Sequence, residues 1–172
     1  MAVYFVGDIQ GCYSELDALL TQVGFSNDSD LLYVAGDHLD ALLSAPDLSQ
    51  LMTWLIQQPL IQKLPFEETY MSHAGLSPQW TPKQALIQAA IAQDHLTSSN
   101  AVHWLSLMYG EKPTNWHNAE DDVDRFRFTI NALTRMRYCY ADGSLDFVCK
   151  EHPNEASKEL SPWFEFGHIN NN

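Results

Sequence analysis

The sequence is short of positive charge: its 172 residues carry nine lysines and arginines against 22 aspartates and glutamates, a formal net charge of −13. A surface of that sign repels phosphate backbones and anionic lipid, which excludes DNA and membranes as main partners and leaves any anionic substrate dependent on local cations. Cysteine is scarce too. Cys12, Cys139 and Cys149 are odd in number and lack Cys-x-x-Cys spacing, so neither a disulfide framework nor a structural zinc site is expected, and a reducing cytoplasm fits. No basic region precedes the first apolar residues and no apolar run reaches membrane-spanning length, so neither a signal peptide nor an anchor is expected. There is no useful repeat and no clear linker. With 45% hydrophobic and 18% charged residues, the chain has the material for one folded domain.

Val3-Tyr4-Phe5-Val6 is an apolar run stopped by Gly7-Asp8 and reads as a buried strand. Leu16, Leu19, Leu20 and Val23 then form one helical stripe, closed by Gly24, and Leu31-Leu32-Tyr33-Val34 is a second strand stopped by Gly36-Asp37. Strand, helix and strand at this length make a βαβ unit, which brings both Gly-Asp pairs to the carboxyl edge of one parallel sheet. Ligands bind outside that edge in open α/β sheets.

Further along, Leu48, Leu51, Met52 and Leu55 mark a helix ending before Pro59. Thr81-Pro82-Lys83-Gln84 is a capping signal for a helix to about Leu96, and residues 101–108 make another. The acidic run Glu120-Asp121-Asp122 suits the start of a helix that places Phe126, Ile130 and Leu133 on one face. Residues 136–140 and 145–148 flank Ala141-Asp142-Gly143-Ser144 as a hairpin.

Three runs end in glycine followed by a metal-capable side chain, namely Asp8, Asp37 and His168, and a fourth ends in His73. Carboxylates and imidazoles gathered at one edge suit a pair of divalent ions, which bind a phosphoryl group, offset its charge and provide a nucleophile at neutral pH. Asp8 or Asp37 alone reads equally well as a turn and helix cap. His95, His103, His117 and His152 lack such context and read as structural. All four arginines, Arg125, Arg127, Arg135 and Arg137, fall in one short segment. Guanidinium forks bind phosphate bidentately; the competing use is pairing with Asp121, Asp122 and Asp124, Arg125 above all, which leaves Arg135 and Arg137 as the anion ligands. Cys12 and the large aromatics Trp80, Trp104, Trp116 and Tyr109 are expected to serve packing, although any of the aromatics is chemically able to stack on a base.

Gly7-Asp8-Ile9-Gln10-Gly11-Cys12 resembles the first block of the calcineurin-like metallophosphoesterases, and three later blocks narrow the resemblance to the symmetrical bis(5′-nucleosyl)-tetraphosphatases. They are residues 72–80 (SHAGLSPQW), 108–116 (MYGEKPTNW) and 131–139 (NALTRMRYC), with Ser161-Pro162-Trp163-Phe164 similar as well. The resemblance implies an α/β fold with a two-sheet core flanked by helices, in a single metallophosphoesterase domain over residues 1–172. It implies symmetrical hydrolysis of diadenosine tetraphosphate to two ADP with two manganese, cobalt or magnesium ions, and it permits action on capped RNA ends. By the same resemblance Asp8, Asp37 and His73 are catalytic, Asp8, Gln10, Asp37, His73 and His168 hold metal, and Asn131, Arg135 and Arg137 bind substrate.

After Asp37 the family continues through Arg-Gly and Gly-Asn-His blocks, whereas this chain runs straight into His38-Leu39-Asp40, and it steps abruptly from Phe166 to Gly167. Removing a central strand would leave backbone groups unpaired. The expectation is therefore that segments belonging at 37/38 and near 166/167 exist in the molecule. A genuine deletion would instead suit a nucleotide-binding relic without turnover, and a broader phosphoesterase of the protein serine/threonine phosphatase kind is the nearest other enzyme.

Overall fold

The computed structural model describes residues 1–9, 12–35 and 47–166. They fall into two compact units, Met1–Leu55 and Ile56–Asn172.

In the first unit, β1 (Val3–Gly7) and β2 (Leu31–Ala35) pair in parallel with Val3 opposite Leu31 and Gly7 opposite Ala35, as the βαβ reading requires. Between them runs α1 (Tyr13–Gln22). Gly24 ends it at φ 67°, where the Gly24 N–H donates to Thr21 O at 3.1 Å and the Phe25 N–H to Leu20 O at 2.9 Å. This double closure satisfies carbonyls that the helix end leaves open, and only glycine enters it without strain. Phe25 then meets Tyr4 edge-on at 5.7 Å. The turn into β2 is tied to the N-terminus, because Asp30 accepts from the N–H groups of Ala2 and Ser26, and these bonds hold its carboxyl below the usual carboxylate range. The helix α2 (Leu48–Leu55) closes the unit. Cys12 is not packing material: it is exposed at the start of α1, where its carbonyl, not its thiol, accepts from Leu16 N–H.

The second unit holds the core. A short antiparallel pair, β3 (Gln62–Lys63) with β4 (Tyr70–Met71), precedes the helices α3 (Pro82–Thr97), α4 (Ala101–Met108) and α5 (Asp122–Thr134). The Thr81–Gln84 capping box forms in both directions, and the Asp121 carboxylate accepts from Asp124 N–H at 2.8 Å. Ala85, Ala89 and Ala92 are small enough to let α3 lie close to α5, whose Phe126, Phe128, Ile130, Ala132 and Leu133 are buried. Trp80 fills the centre, edge-on to both Trp116 and Phe128 at 5.3 Å, an arrangement that adds about 0.5–1.5 kcal/mol per pair beyond area burial.

Three strands complete the unit in the order β6 (Leu145–Asp146), β5 (Tyr138–Tyr140), β7 (Leu160–Pro162), all antiparallel. The hairpin is shorter than the sequence suggests, and β7 is a strand that the sequence pattern does not signal. Pro162 is accommodated because β7 is an edge strand, where a missing N–H leaves no neighbour unpaired. Trp163–Glu165 makes a tight 3-10 turn. Among the described residues no helix is long and apolar enough to cross a membrane.

Cys139 lies wholly inside this core, where burial first, and the nearby charges of Asp142 and Asp146 second, push its thiol up to about 12. At pH 8 its thiolate fraction is then on the order of one in ten thousand. Maleimide labelling of the native protein followed by mass spectrometry is expected to find Cys12 modified and Cys139 untouched. Rapid native labelling of Cys139 would contradict the packing of this core.

Candidate active site

Asp8 stands where β1 leaves its sheet. Its N–H donates to Ala35 O at 2.9 Å, which pins the two strand ends together at the point where the chain turns away. The turn holds Asp8 at φ 45°, a left-handed conformation that side chains other than glycine, and to a lesser degree asparagine and aspartate, adopt at a cost. The Asp8 carboxylate is exposed at the carboxyl edge of a parallel pair, where ligands bind in open α/β sheets. Gln10, Asp37 and His168, the companions expected from the sequence, lie outside the described residues. Among the described residues no three histidine, cysteine, aspartate or glutamate side chains gather into a metal cluster.

The remaining expected ligand, His73, belongs to the second unit and is exposed there. The chain leaves β4 through Ser72 and His73 to Ala74, whose N–H donates to Leu133 O at 2.8 Å. Leu133 lies in the last turn of α5, where carbonyls lack helical partners, so the loop carrying His73 satisfies the helix end. Gly75 follows under the indole of Trp163, so close that a Cβ there would stand 2.5 Å from the ring. Trp163 N–H in turn donates to Arg137 O at 3.0 Å. The backbones of His73, Arg137 and Trp163 are thus brought together at the C-terminal end of α5.

Asn131 and the arginines frame this place. Arg125 and Arg127 pair with Asp122 at 4.0 Å and Asp124 at 3.9 Å, the competing use expected for part of the cluster. Arg135 lies over the Phe147 ring at 4.7 Å and donates to Asn131 Oδ1 at 3.1 Å and Glu111 Oε1 at 3.4 Å. Asn131 is only 2% exposed, and its amide N–H donates to Gly110 O at 2.8 Å. Its contact with any ligand therefore runs through Arg135 and Gly110. Arg137 is exposed. A depression of about 470 Å³ lined by Tyr140, Ala141, Asp142, Ser144 and Glu159 has the wrong sign for a polyphosphate. The backbone N–H and hydroxyl of Ser144 hold the Asp142 carboxyl below its usual range, which keeps it charged.

Two structural residues escape the sequence reading. Gln79, 4% exposed, donates to Asp142 O at 2.9 Å and accepts from Trp116 N–H at 2.7 Å, joining the SHAGLSPQW and MYGEKPTNW blocks; a glutamine inside an otherwise apolar block is the available signal. Tyr109 is the other. Unlike Trp80 it is not core but 88% exposed.

A family model described as calcineurin-like phosphoesterase matches residues 1–73. A protein of Colwellia psychrerythraea strain 34H, named symmetrical bis(5′-nucleosyl)-tetraphosphatase, is 40% identical over 233 positions that cover 100% of this chain and 82% of its own length. Proteins of the same name from Shewanella frigidimarina and Photorhabdus laumondii are 38% and 36% identical, each over 96% of this chain and over 79% and 77% of their own lengths. The first alignment has at least 61 positions more than this chain has residues.

Proposed function

Since the chain belongs to the symmetrical bis(5′-nucleosyl)-tetraphosphatases, within the calcineurin-like phosphoesterases, we propose that it hydrolyses diadenosine tetraphosphate symmetrically to two molecules of ADP. The observation that carries this reading is the 40% identity running the whole length of the chain. We take residues 1–172 as one metallophosphoesterase domain, interrupted after Asp37 and near Phe166.

Calcineurin-like phosphoesterases use divalent metal ions, and we assign these to Asp8, Gln10, Asp37, His73 and His168, with manganese as the first to supply. Two carboxylates, two imidazoles and an amide oxygen are a hard-to-borderline donor set suited to such ions, and the strained turn that commits Asp8 to the sheet edge supports its part. Bound there, the ions would offset phosphoryl charge and supply the nucleophile at neutral pH. The chain's own contribution to the anion is Arg135 and Arg137. In a protein of net charge −13 they provide the local reversal of sign that a polyphosphate needs, and bidentate charge-assisted bonds give each roughly 1.5–3 kcal/mol. Asn131 fixes the Arg135 fork, and stacking on Phe147 limits its rotation. Action in a reducing cytoplasm is supported by three cysteines that are all free.

The purified protein with manganese is expected to release ADP as the sole nucleotide product from diadenosine tetraphosphate. ATP and AMP as a pair would mean asymmetric cleavage, and faster turnover of a phosphopeptide would favour the protein phosphatase reading. No turnover with the nucleotide still bound would overturn the proposal, and is what a chain truly lacking its Gly-Asn-His block would show.

A further inference from the structure

We infer that Tyr109 is a stacking platform for a nucleoside base of the substrate, an inference that rests on the dinucleotide reading above and adds the residue that recognises the nucleoside. The geometry around it is unusual for a surface loop. Tyr109 follows α4 and is 88% exposed, yet the backbone on both sides of it is tied down by side chains of α5. Arg127 Nε donates to Leu107 O at 3.1 Å and Arg127 Nη1 to Lys112 O at 3.1 Å, so one guanidinium bridges the two flanks of the tyrosine. Between them, Asn131 Nδ2 donates to Gly110 O at 2.8 Å.

Gly110 has to be glycine for this to hold. It lies at φ 146°, a conformation strained for any other residue, and a Cβ there would press on Arg127 Nε at 3.1 Å and Cδ at 3.2 Å, in the side chain that spans the loop. Three carbonyls are therefore satisfied by two residues of a neighbouring helix, and the aromatic ring in the span is left in water. Exposing a tyrosine ring forgoes the stabilisation that burying it would bring, so the fixed loop has another use. Val102, 81% exposed on α4, has no comparable support.

The same side chains connect the platform to the anion ligands. The Asn131 amide that holds Gly110 accepts from Arg135 through its oxygen, so the ring beside Gly110 and the Arg135 guanidinium are set by one buried group. A phosphate on Arg135 and a base on Tyr109 match the order of parts in a nucleoside polyphosphate. Aromatic stacking tolerates any base, and a rigid ring gives up little conformational freedom on binding. The platform should accordingly favour nucleosides over bare polyphosphate without selecting strongly among bases.

The test compares ADP with inorganic pyrophosphate, which carry the same number of phosphates with and without a nucleoside, by calorimetric titration in the presence of manganese. Tyr109→Ala is expected to weaken ADP about tenfold, or about 1.4 kcal/mol, and pyrophosphate less than about twofold on the scale of one stacked base. Tyr109→Trp restores ADP affinity, and Val102→Ala changes neither. In turnover of diadenosine tetraphosphate, Tyr109→Ala raises KM with kcat little changed. Equal losses for both ligands, no loss for ADP, or failure of the tryptophan to rescue overturns the inference. Absence of turnover by the unmodified protein tells against the proposed reaction alone, since the ADP to pyrophosphate comparison reads Tyr109 without it.

Discussion

Replacing Asp8 by asparagine is expected to cut turnover by about a thousandfold while leaving the protein as stable as before. The two effects separate because Asp8 has two properties. Its backbone is at φ 45°, which asparagine tolerates as well as aspartate does, so the turn after β1 and the bond from its N–H to Ala35 O survive. Its charge is lost, and with it the anionic ligand proposed here for a divalent ion. A thousandfold loss corresponds to about 4 kcal/mol of transition-state stabilisation, within the several kcal/mol that metal-assisted charge neutralisation supplies. Asp8→Ala should lose the same activity and in addition about 1 kcal/mol of stability, because alanine lacks the local hydrogen bonding that eases the left-handed conformation. Urea denaturation and manganese binding read the two components independently of turnover. Asp8→Asn retaining activity within tenfold, or binding manganese unchanged, would remove Asp8 from the ligand set.

The parts of the molecule that were legible in the sequence are those set by neighbours in the chain. The parallel βαβ unit follows from the period of Leu16, Leu19, Leu20 and Val23 between two apolar runs, and the start of α3 from Thr81, Pro82 and Gln84, because a capping box needs nothing beyond four residues. The hairpin turn followed from Asp142-Gly143, and Gly143 lies at φ 80°. Tyr109 could not be read the same way. Whether an aromatic after a helix is buried depends on what returns to cover it, and here Arg127 and Asn131, 18 and 22 residues further on, take the backbone and leave the ring. Cys12 departs from the expected packing for a related reason: an apolar side chain near a helix start is packing only if something lies against it, and Cys12 is exposed. The arginine cluster shows both sides. Pairing of Arg125 with Asp122 is a local, helical-spacing effect and was foreseen, whereas the stacking of Arg135 on Phe147 requires the β5–β6 sheet to bring residue 147 back.

Gly75→Ala is expected to disturb stability and activity together, unlike Asp8→Asn. An alanine Cβ would lie 2.5 Å from Cε2, 2.6 Å from Cδ2 and 2.7 Å from Cζ2 of Trp163, closer than any real contact, at a residue whose φ of 155° already favours glycine. The indole is not free to yield. The main-chain N–H of Trp163 donates to Arg137 O, and the ring packs against the core that contains Trp80 and Leu133. Overpacking of this kind costs about 1–3 kcal/mol. What shifts is therefore shared between the Trp163 turn and the loop from His73 to Gly75, which is held by the bond from Ala74 N–H to Leu133 O and by the packing of Ala74 against the core. With His73 in the metal-binding role proposed for it, a displacement of about an ångström is expected to lower turnover about a hundredfold. Trp163→Ala alone should also destabilise, by about 3–5 kcal/mol for an aromatic truncated to alanine where packing is tight and less where the ring is partly exposed. The double variant separates this contact from two unrelated losses. Because removal of the indole removes the clash and leaves only the backbone strain at φ 155°, Gly75→Ala should cost less in a Trp163→Ala background than alone, and the two free energies from urea unfolding should fall short of additivity by about 1–3 kcal/mol. Additive losses would mean that the indole does not lie over Gly75, and the place where His73, Arg137 and Trp163 meet would have to be built differently.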